Sequence, residues 1–330
     1  MRPLRLGVLG CASIVRRRML PAVARCPDVE LAAVASRDEA KAKSFTAEFG
    51  GEAVEGYERL LARDDLDAVY VPLPAALHAE WVERALRAGL HVLCEKPLTG
   101  NLAASLRLVR LAEERGLVLA ENFMFTQHAQ HAVVRDLVAA GTIGEIRSLT
   151  AEFAFPPKPA GDMRYTAAGG GALTEIGGYP LRTALMVLGD ELSVTGTVLR
   201  HSAEHGVDLS GAALLTDPAG RTAHLTWGME HAYRSSYEIW GEDGRIVVEW
   251  AYTPPAEHRP VLRIETQDRI DRRTLPADDQ FGNVLAEFAR SVRTSVPGDL
   301  EGRHVLRLAA LFDEVAAAAR ASAGGAEAVA

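Results

Sequence analysis

Short apolar runs alternate with amphipathic stretches over the first third of the chain. Residues 4–9, 29–35 and 90–93 are mostly apolar runs, each with one charged residue or histidine, and are typical of strands buried on both faces of a parallel sheet. Stretches with helical character, such as residues 38–49 and 101–115, separate these runs. Because strands and helices alternate throughout, residues 1–122 are predicted to form one N-terminal Rossmann-type, doubly wound parallel domain of the α/β class.

The pattern becomes rich in predicted strands after residue 122. Residues 221–229 alternate between apolar and polar positions, and residues 236–240 and 245–250 predict a hairpin around Glu242-Asp243-Gly244. Residues 123–330 are therefore predicted to form a C-terminal α+β domain with a large open, mostly antiparallel sheet. One face of that sheet needs cover, which predicts a homodimer or a homotetramer packed through this face.

Composition excludes several classes of protein. The chain has 330 residues, a hydrophobic fraction of 48% and a net charge of −8, so a nucleic-acid-binding surface is not expected. No apolar run reaches the ~18 residues of a membrane span, and the first residues lack the features of a secretory signal. The cysteines Cys11, Cys26 and Cys94 form no CxxC pair, which suits a reducing cytoplasm.

A degraded dinucleotide fingerprint follows the first strand. In GCASIV, Gly10 keeps the first glycine of the motif, while Ala12 and Val15 replace the second and third. Gly10 permits a tight turn, and the N-terminus of the next helix offers N–H groups to a pyrophosphate. The predicted cofactor contacts in this turn are Gly10, Cys11, Ala12, Ser13 and Ile14.

The second predicted strand ends at Ser36-Arg37, where an NAD-binding domain would place a carboxylate for the ribose diol. A hydroxyl and a guanidinium suit a 2′-phosphate instead, which predicts NADP(H). The alternative is a solvated arginine at a helix start. Residues 72–74 are predicted to cover the adenine and ribose, with His78 either beside them or an ordinary helix-start histidine.

The stretch GLHVLCEKPL places Glu95, Lys96 and Pro97 at the carboxyl end of a buried strand, where ligands bind in open α/β sheets. Lys96 can polarise a carbonyl or carry a proton, and Glu95 can tune it. The alternative is a surface ion pair in a turn. The predicted cofactor contacts beyond the first turn are Ser36, Arg37, Pro72, Leu73, Pro74, His78, Glu95, Lys96 and Asn122.

Gly169-Gly170-Gly171 precedes a helical run and is predicted to bring backbone close to a cofactor ring or a substrate. Glu175 and Tyr179 are four residues apart and should share a helix face, although Tyr179 could also be a core aromatic. His128 and His131 have helical spacing, but no carboxylate or cysteine completes a ligand set. They predict a helix face or a substrate pocket, and no metal site is expected.

The Glu-Lys-Pro turn and the glycine-rich helix ending in Tyr179 resemble the glucose–fructose oxidoreductase/inositol dehydrogenase (Gfo/Idh/MocA) family over essentially the whole chain. GVLGCASIVRRRMLPA, VASRD, HVLCEKPL and ENFMF are similar to the NDP-sugar 3-ketoreductases of that family. The resemblance implies a Rossmann domain, subunit contacts through the open sheet, and a catalytic lysine and tyrosine at Lys96 and Tyr179. Glu175 departs from the family pattern, which usually has Asp there. The residues expected to bind substrate are Lys96, Phe155, Arg164, Tyr165, Glu175 and Tyr179.

By this resemblance the chain should use NADPH to reduce the C3 ketone of a dTDP-linked 3,4-diketo-2,6-dideoxyhexose, as in the deoxysugar biosynthesis of antibiotics. Tyr179 or Lys96 would protonate the emerging alkoxide, and Lys158, Arg164 and Arg182 are candidates to bind the second pyrophosphate. The alternatives are a dehydrogenase of a free sugar, polyol or dihydrodiol, and a non-catalytic NADP-sensing regulator. A regulator would not need Lys96 and Tyr179 together.

Overall fold

The chain divides into two compact units. The computed structural model describes residues 2–296 and 302–327, with side chains through residue 321. The first unit comprises Met1–Gln127 and Asp279–Leu306, and the second comprises His128–Asp278 and Arg307–Ala330. The boundary expected from the sequence, between residues 122 and 123, differs in two ways. The first unit extends five residues further, and it recovers a helical segment near the C-terminus.

That segment is mainly helix α8, Gln280–Thr294; the helices are numbered in the order of the chain. Its apolar face, which includes Phe281, Val284 and Phe288, is buried, and the helix packs against the 3₁₀ turn Met124–Gln127. The Asn283 side-chain amide donates a hydrogen bond to the Gln127 carbonyl over 2.9 Å. An amphipathic helix shows in sequence that it has a buried face, but not which unit buries it.

A six-stranded sheet forms the centre of the first unit. Its strands are β1 (Leu4–Leu9), β2 (Val29–Ser36), β3 (Glu52–Glu55), β4 (Ala68–Val71), β5 (His91–Glu95) and β6 (Leu119–Asn122). They lie in the order β3-β2-β1-β4-β5-β6, and every neighbouring pair is parallel. The doubly wound parallel domain is thus confirmed. The strand order reverses between β1 and β4, and this reversal marks the ligand crevice of such sheets.

Helices flank this sheet. They are α1 (Leu20–Val23), α2 (Glu39–Phe49), α3 (Tyr57–Leu61), α4 (Ala75–Arg87), α5 (Leu102–Arg115) and α8. The helix after β1 begins as a π-helical turn over Val15–Met19. The residues of β4 and most of those of β5 are buried, which accounts for their nearly continuous apolar runs.

An eight-stranded sheet forms the second unit. Its strands are β7 (Ile146–Ala154), β8 (Ser193–His201), β9 (Asp208–Thr216), β10 (Thr222–Gly228), β11 (Arg234–Gly241), β12 (Gly244–Glu249), β13 (Val261–Thr266) and β14 (Arg269–Thr274). Their order is β14-β13-β12-β11-β7-β10-β9-β8. All neighbours are antiparallel except β7 and β10, so the predicted open, mostly antiparallel sheet is confirmed.

The two faces of this sheet differ. The remaining helices are α6 (Ala129–Ala139), α7 (Gly178–Leu188) and α9 (Arg303–Glu327), and α7 packs on β7 and β10. Inward side chains such as Trp227 and Tyr237 are fully buried. Within the second unit the opposite face is solvent-exposed at large apolar residues, with Val198 67%, Trp240 61% and Ile270 60% exposed. No helix among the described residues is long and apolar enough to cross a membrane.

Candidate active site

The turn after β1 is closely packed around Gly10. Its φ of +119° lies in the region that favours glycine, and a Cβ there would lie 3.0 Å from the Leu73 side chain. The hydroxyl of Tyr57 lies 3.8 Å from the same point. The half-buried Cys11 thiol interacts with Ser36, while burial raises its pKa. The turn of residues 10–14 therefore adjoins the end of β2 and the loop after β4, where cofactor contacts were predicted.

Ser36 and Arg37 lie at the carboxyl end of β2. The Ser36 hydroxyl accepts a hydrogen bond from the Asp38 amide over 3.2 Å, and the Asp38 carboxylate caps α2. The exposed Arg37 side chain interacts with the Tyr57 hydroxyl, and burial raises the pKa of that phenol. The Asp38 carboxylate thus faces the backbone amides of α2. The Ser36 hydroxyl and the Arg37 guanidinium are the polar groups at the end of β2.

His78 has a structural role in the first unit, and its predicted contact with a cofactor stays a prediction. It is 1% exposed, with Nδ1 2.8 Å from the Pro97 carbonyl oxygen and Nε2 2.7 Å from that of Leu73. Burial lowers its pKa, whereas the two carbonyls act in the opposite direction. Since both nitrogens are occupied, the ring connects the loop of residues 72–74 to the Lys96–Pro97 turn. The peptide bond of that turn is cis.

A hydrogen-bond network with the buried side chains of Tyr70 and Asn122 surrounds the half-buried Glu95 at the end of β5. The Tyr70 hydroxyl and the Asn122 side-chain amide each donate a hydrogen bond to Glu95 Oε1 over 2.5 Å. Burial raises the pKa of Glu95, while these donors and the Lys96 charge oppose that rise. Asn122 Oδ1 is buried and has no hydrogen-bond partner among the described residues, so it offers an acceptor at this edge. Sequence reasoning missed Tyr57 and Tyr70, although a hydroxyl in the apolar strand AVYV was a signal that a partner is needed.

The three consecutive glycines of the second unit pack against their own chain, and their predicted approach to a cofactor or substrate stays a prediction. A Cβ at Gly169 would collide with the Met163 carbonyl, and one at Gly171 would collide with the Asp208 carboxylate. Asp208 accepts a hydrogen bond from the Leu173 amide over 2.7 Å, and burial raises its pKa. The glycines therefore allow Asp208, at the start of β9, to hold the helical segment.

Tyr179 and Glu175 occupy different surroundings. The Tyr179 ring is 4% exposed and packs edge-to-face on Phe153, with centroids 4.7 Å apart. Glu175 lies in the π-helical turn Leu173–Gly177 and forms an ion pair with Arg164 over 3.1 Å. Because π-turn hydrogen bonds span five residues, the predicted i, i+4 face is not a valid guide here. Tyr179 thus packs in an aromatic cluster of the second unit.

Cations surround Phe155 in the loop after β7. Lys158 Nζ lies 4.7 Å and the Arg164 guanidinium carbon 6.0 Å from the centroid of its half-exposed ring. The Asp162 carboxylate forms an ion pair with Arg164 over 2.9 Å, in addition to the pair with Glu175. An aromatic ring with two cations close to it can bind a planar, negatively charged ligand.

Tyr165 supports this loop, and its predicted contact with substrate stays a prediction. Its hydroxyl accepts a hydrogen bond from the Lys158 amide over 2.9 Å and donates one to the Met229 carbonyl over 3.4 Å. Its buried ring stacks on His205 with centroids 4.9 Å apart. The neighbouring candidate Arg182 is buried on α7.

His128 and His131 are buried in the second unit. His131 Nδ1 is 2.9 Å from the Tyr237 hydroxyl and Nε2 is 3.1 Å from the Ala251 carbonyl, while burial lowers its pKa to about 3. His128 caps α6. Within the described ranges, no group of three or more His, Cys, Asp or Glu side chains could hold a metal ion.

Comparisons with known proteins extend over both units. The model of an oxidoreductase family with an NAD-binding Rossmann fold, Gfo/Idh/MocA, matches residues 4–123, and the C-terminal domain model of that family matches residues 131–247. The chain is 54% identical to a dTDP-3,4-didehydro-2,6-dideoxy-α-D-glucose 3-reductase of Streptomyces violaceoruber, with 96% of both chains covered. It is 53% identical, again over 96% of both, to an Actinomadura kijaniata reductase of the same name.

A solved structure agrees with these relatives. KijD10, a 3-ketoreductase from Actinomadura kijaniata crystallised with NADP and TDP-benzene, superimposes with a TM-score of 0.93 and 52% identity. The match covers 96% of this chain and 98% of that one. With its Rossmann unit, its Glu-Lys-Pro turn and its open-sheet unit, the chain belongs to the Gfo/Idh/MocA family of oxidoreductases.

Proposed function

We propose that the chain reduces the C3 ketone of a dTDP-linked 3,4-diketo-2,6-dideoxyhexose with NADPH, in a deoxysugar pathway of the antibiotic type. The observation that carries this proposal is the likeness, over nearly the whole of both chains, to reductases named for this substrate. Lys96 and Tyr179, which suit carbonyl reduction, are both present.

The residues of the first unit fit a nicotinamide dinucleotide phosphate. The turn at Gly10 has a positive φ and leaves little room for a side chain, and Asn122 Oδ1 offers a buried acceptor at a strand end. Ser36 and Arg37 would hold the 2′-phosphate. The bound cofactor supplies the hydride. The other contacts proposed for it are Cys11, Ala12, Ser13, Ile14, Pro72, Leu73, Pro74, Glu95 and Lys96.

Reduction of a ketone places negative charge on its oxygen, so the site needs a positive group and a proton donor beside that oxygen. We assign the first task to the Lys96 ammonium, which would orient the carbonyl and stabilise the charge. Tyr179 would donate its phenolic proton to the alkoxide. Glu95, hydrogen-bonded at the strand end, would balance the Lys96 charge.

The substrate's nucleotide would bind at the loop after β7. Phe155 offers a face for the base, and Lys158 and Arg164 offer positive charge for the diphosphate. Glu175, paired with Arg164, would keep that guanidinium oriented.

Turnover of dTDP-linked 3-ketosugar is the direct test. With NADPH, kcat/KM for the dTDP-linked diketosugar should exceed that for free keto sugars by at least about 100-fold, the effect of losing a charge-assisted contact and base stacking. Product analysis should show reduction at C3. Equal turnover of free and nucleotide-linked sugars would contradict the proposal.

One observation favours a second candidate, a dehydrogenase of a free sugar, polyol or dihydrodiol. Two carboxylates, Asp162 and Glu175, already pair with Arg164, which reduces the charge available to a diphosphate. The same assay decides, because this enzyme would oxidise free polyols with NADP⁺ and would gain nothing from the nucleotide.

We also propose that the exposed face of the eight-stranded sheet packs against a second copy, giving a homodimer or homotetramer in the cytoplasm. Its large exposed apolar side chains support the assembly, and the three cysteines are free thiols, as suits a reducing compartment. Light scattering should find at least a dimer at micromolar concentration, and Trp240→Glu should shift it towards monomer. A monomeric unmodified chain would exclude this assembly.

A further inference from the structure

Three neighbouring strands of the first unit converge on one carboxylate oxygen. Glu95 on β5 lies directly opposite Asn122 on β6, and Tyr70 on β4 pairs with Leu93, two residues before Glu95. Side chains two residues apart on a strand share a face, so Tyr70 and Glu95 lie on the same side of the sheet. The topology therefore brings together residues that are about 25 positions apart in the sequence.

The hydrogen bonds of this cluster favour a charged Glu95. Both donors reach Oε1 over 2.5 Å, and Tyr70 and Asn122 are completely buried. The main-chain amide of Lys96 adds a third donor to the carboxylate. Hydrogen bonds that a carboxylate accepts stabilise its ionised form, which burial alone would destabilise.

We propose that Tyr70 is a positioning residue that, together with Asn122, holds Glu95 as an anion behind Lys96. The inference rests on the proposed function, because it assumes that Lys96 acts on the substrate ketone. Tyr70 itself contacts neither substrate nor cofactor in this scheme. It acts through Glu95, whose fixed negative charge would orient the Lys96 ammonium.

The surroundings support this assignment. Burial and the nearby Glu95 charge hold the pKa of Tyr70 well above its usual range, so its hydroxyl remains a donor. The other titratable groups that interact with the cluster or adjoin it are the Cys94 thiol on β5, the Glu121 carboxyl on β6, His78 on α4 and Lys96. Burial raises the pKa of Cys94, and Glu121 accepts a hydrogen bond from the Leu98 amide, so Lys96 is the cation adjoining Glu95 in this set.

Tyr70→Phe tests the proposal because it removes only the hydroxyl. The Glu95 pKa should rise further when one donor to its anion is lost. Since activity would require the anion, kcat falls as pH drops through that pKa, and the fall should begin at a higher pH. The expected displacement of the acid limb is about 1–2 pH units, the usual strength of a hydrogen bond to a charged group. NADPH affinity should stay within about 2-fold.

A second readout needs no turnover. In the ligand-free protein, infrared titration of the Glu95 carboxyl stretch, identified by its loss in Glu95→Gln, should show the same upward shift in Tyr70→Phe. Asn122→Leu is nearly isosteric and lacks the donor, so it should shift the Glu95 titration in the same direction. This variant provides the test if Tyr70→Phe does not fold. Tyr237→Phe is the matched control: it removes a buried hydroxyl bonded to His131 in the second unit and should leave the titration unchanged.

The outcomes are distinguishable. An unchanged carboxyl titration in Tyr70→Phe and Asn122→Leu would overturn the proposal, even in an active ketoreductase. A shifted titration with an unmoved acid limb would also overturn it, because Glu95 would then not serve the reaction. A shifted titration in a protein that reduces no sugar would support the network and refute the proposed function alone.

Discussion

The residues with candidate chemistry are gathered differently in the two units. In the first unit they come from the ends of successive parallel strands, are far apart in sequence, and meet in a largely buried network around Glu95. In the second unit Phe155, Lys158 and Arg164 belong to a single loop, and their contacts are partly exposed ion pairs and cation–aromatic contacts.

This difference has energetic consequences. Buried hydrogen bonds to a charged group are strong, weakly screened by salt, and sensitive to the loss of one atom. Exposed ion pairs contribute at most about 1 kcal/mol and weaken as salt increases. The strand-end cluster should therefore determine the rate of the chemistry, and the loop cluster should adjust the affinity for substrate.

The largest expected effect is that of Lys96→Ala. Loss of the ammonium at the strand end should lower kcat by ~10²–10⁴-fold, the usual range for a positioned acid or base, while NADPH still binds. Steady-state kinetics and NADPH fluorescence titration measure the two quantities. Lys158→Ala is the matched control from the loop and should keep kcat within about 3-fold. If both variants behave alike, the distinction between the two clusters is wrong.

Tyr179→Phe should have a comparable effect, ~10²–10⁴-fold on kcat, because the proton donor is removed while the ring is kept. Tyr252→Phe is the control, since its ring lies 5.4 Å from that of Tyr179 in the same aromatic cluster. If Tyr179→Phe retains nearly full turnover, Tyr179 only packs the core and Lys96 is the proton donor. If Lys96→Ala is active as well, the mechanism is wrong.

Arg37→Ala should affect the cofactor selectively. A charge-assisted hydrogen bond to the 2′-phosphate contributes about 1.5–3 kcal/mol, so NADPH affinity should fall by roughly 10–100-fold and NADH affinity should be nearly unchanged. Binding titrations with both cofactors measure this. Arg17→Ala, an exposed arginine on the preceding helical segment, should alter neither. Equal losses for NADPH and NADH would reject the assignment.

The smallest effect is expected at Lys158. Lys158→Ala should raise KM for the nucleotide sugar by about 2–5-fold at low salt, because one half-exposed cation near the diphosphate is lost. The difference from the unmodified enzyme should shrink as salt is raised from ~0.05 to ~0.5 M. A defect that does not depend on salt would show that Lys158 lies in a buried contact and would remove the contrast between the clusters.

The sequence predicted those features that depend on local pattern. Apolar runs such as residues 4–9 and 90–93 predict parallel strands, and the alternation in residues 221–229 and the Glu242-Asp243-Gly244 turn predict antiparallel ones. A strand buried on both faces has a nearly continuous apolar sequence, and a strand buried on one face alternates between apolar and polar residues. The Glu-Lys-Pro motif could be placed at a strand end for the same reason.

What the sequence could not predict depends on distant partners. The Tyr70 hydroxyl donates a hydrogen bond to Glu95, and Gly171 leaves room for Asp208. Helix α8 packs near Gln127. Each pairing joins segments that are not local in the chain. The π-helical turns at Val15–Met19 and Leu173–Gly177 were also missed, because one extra residue in a turn leaves no signal in hydrophobic periodicity.

The return of α8 to the first unit has a consequence for synthesis on the ribosome. All six strands of that unit are made by residue 122, but the helix that covers its Met124–Gln127 turn follows only after residues 128–278. At the usual ~5–20 residues per second, translation of the intervening segment takes roughly 8–30 s. During this interval the apolar surface destined for α8 is uncovered, so the nascent first unit is a natural client for a chaperone.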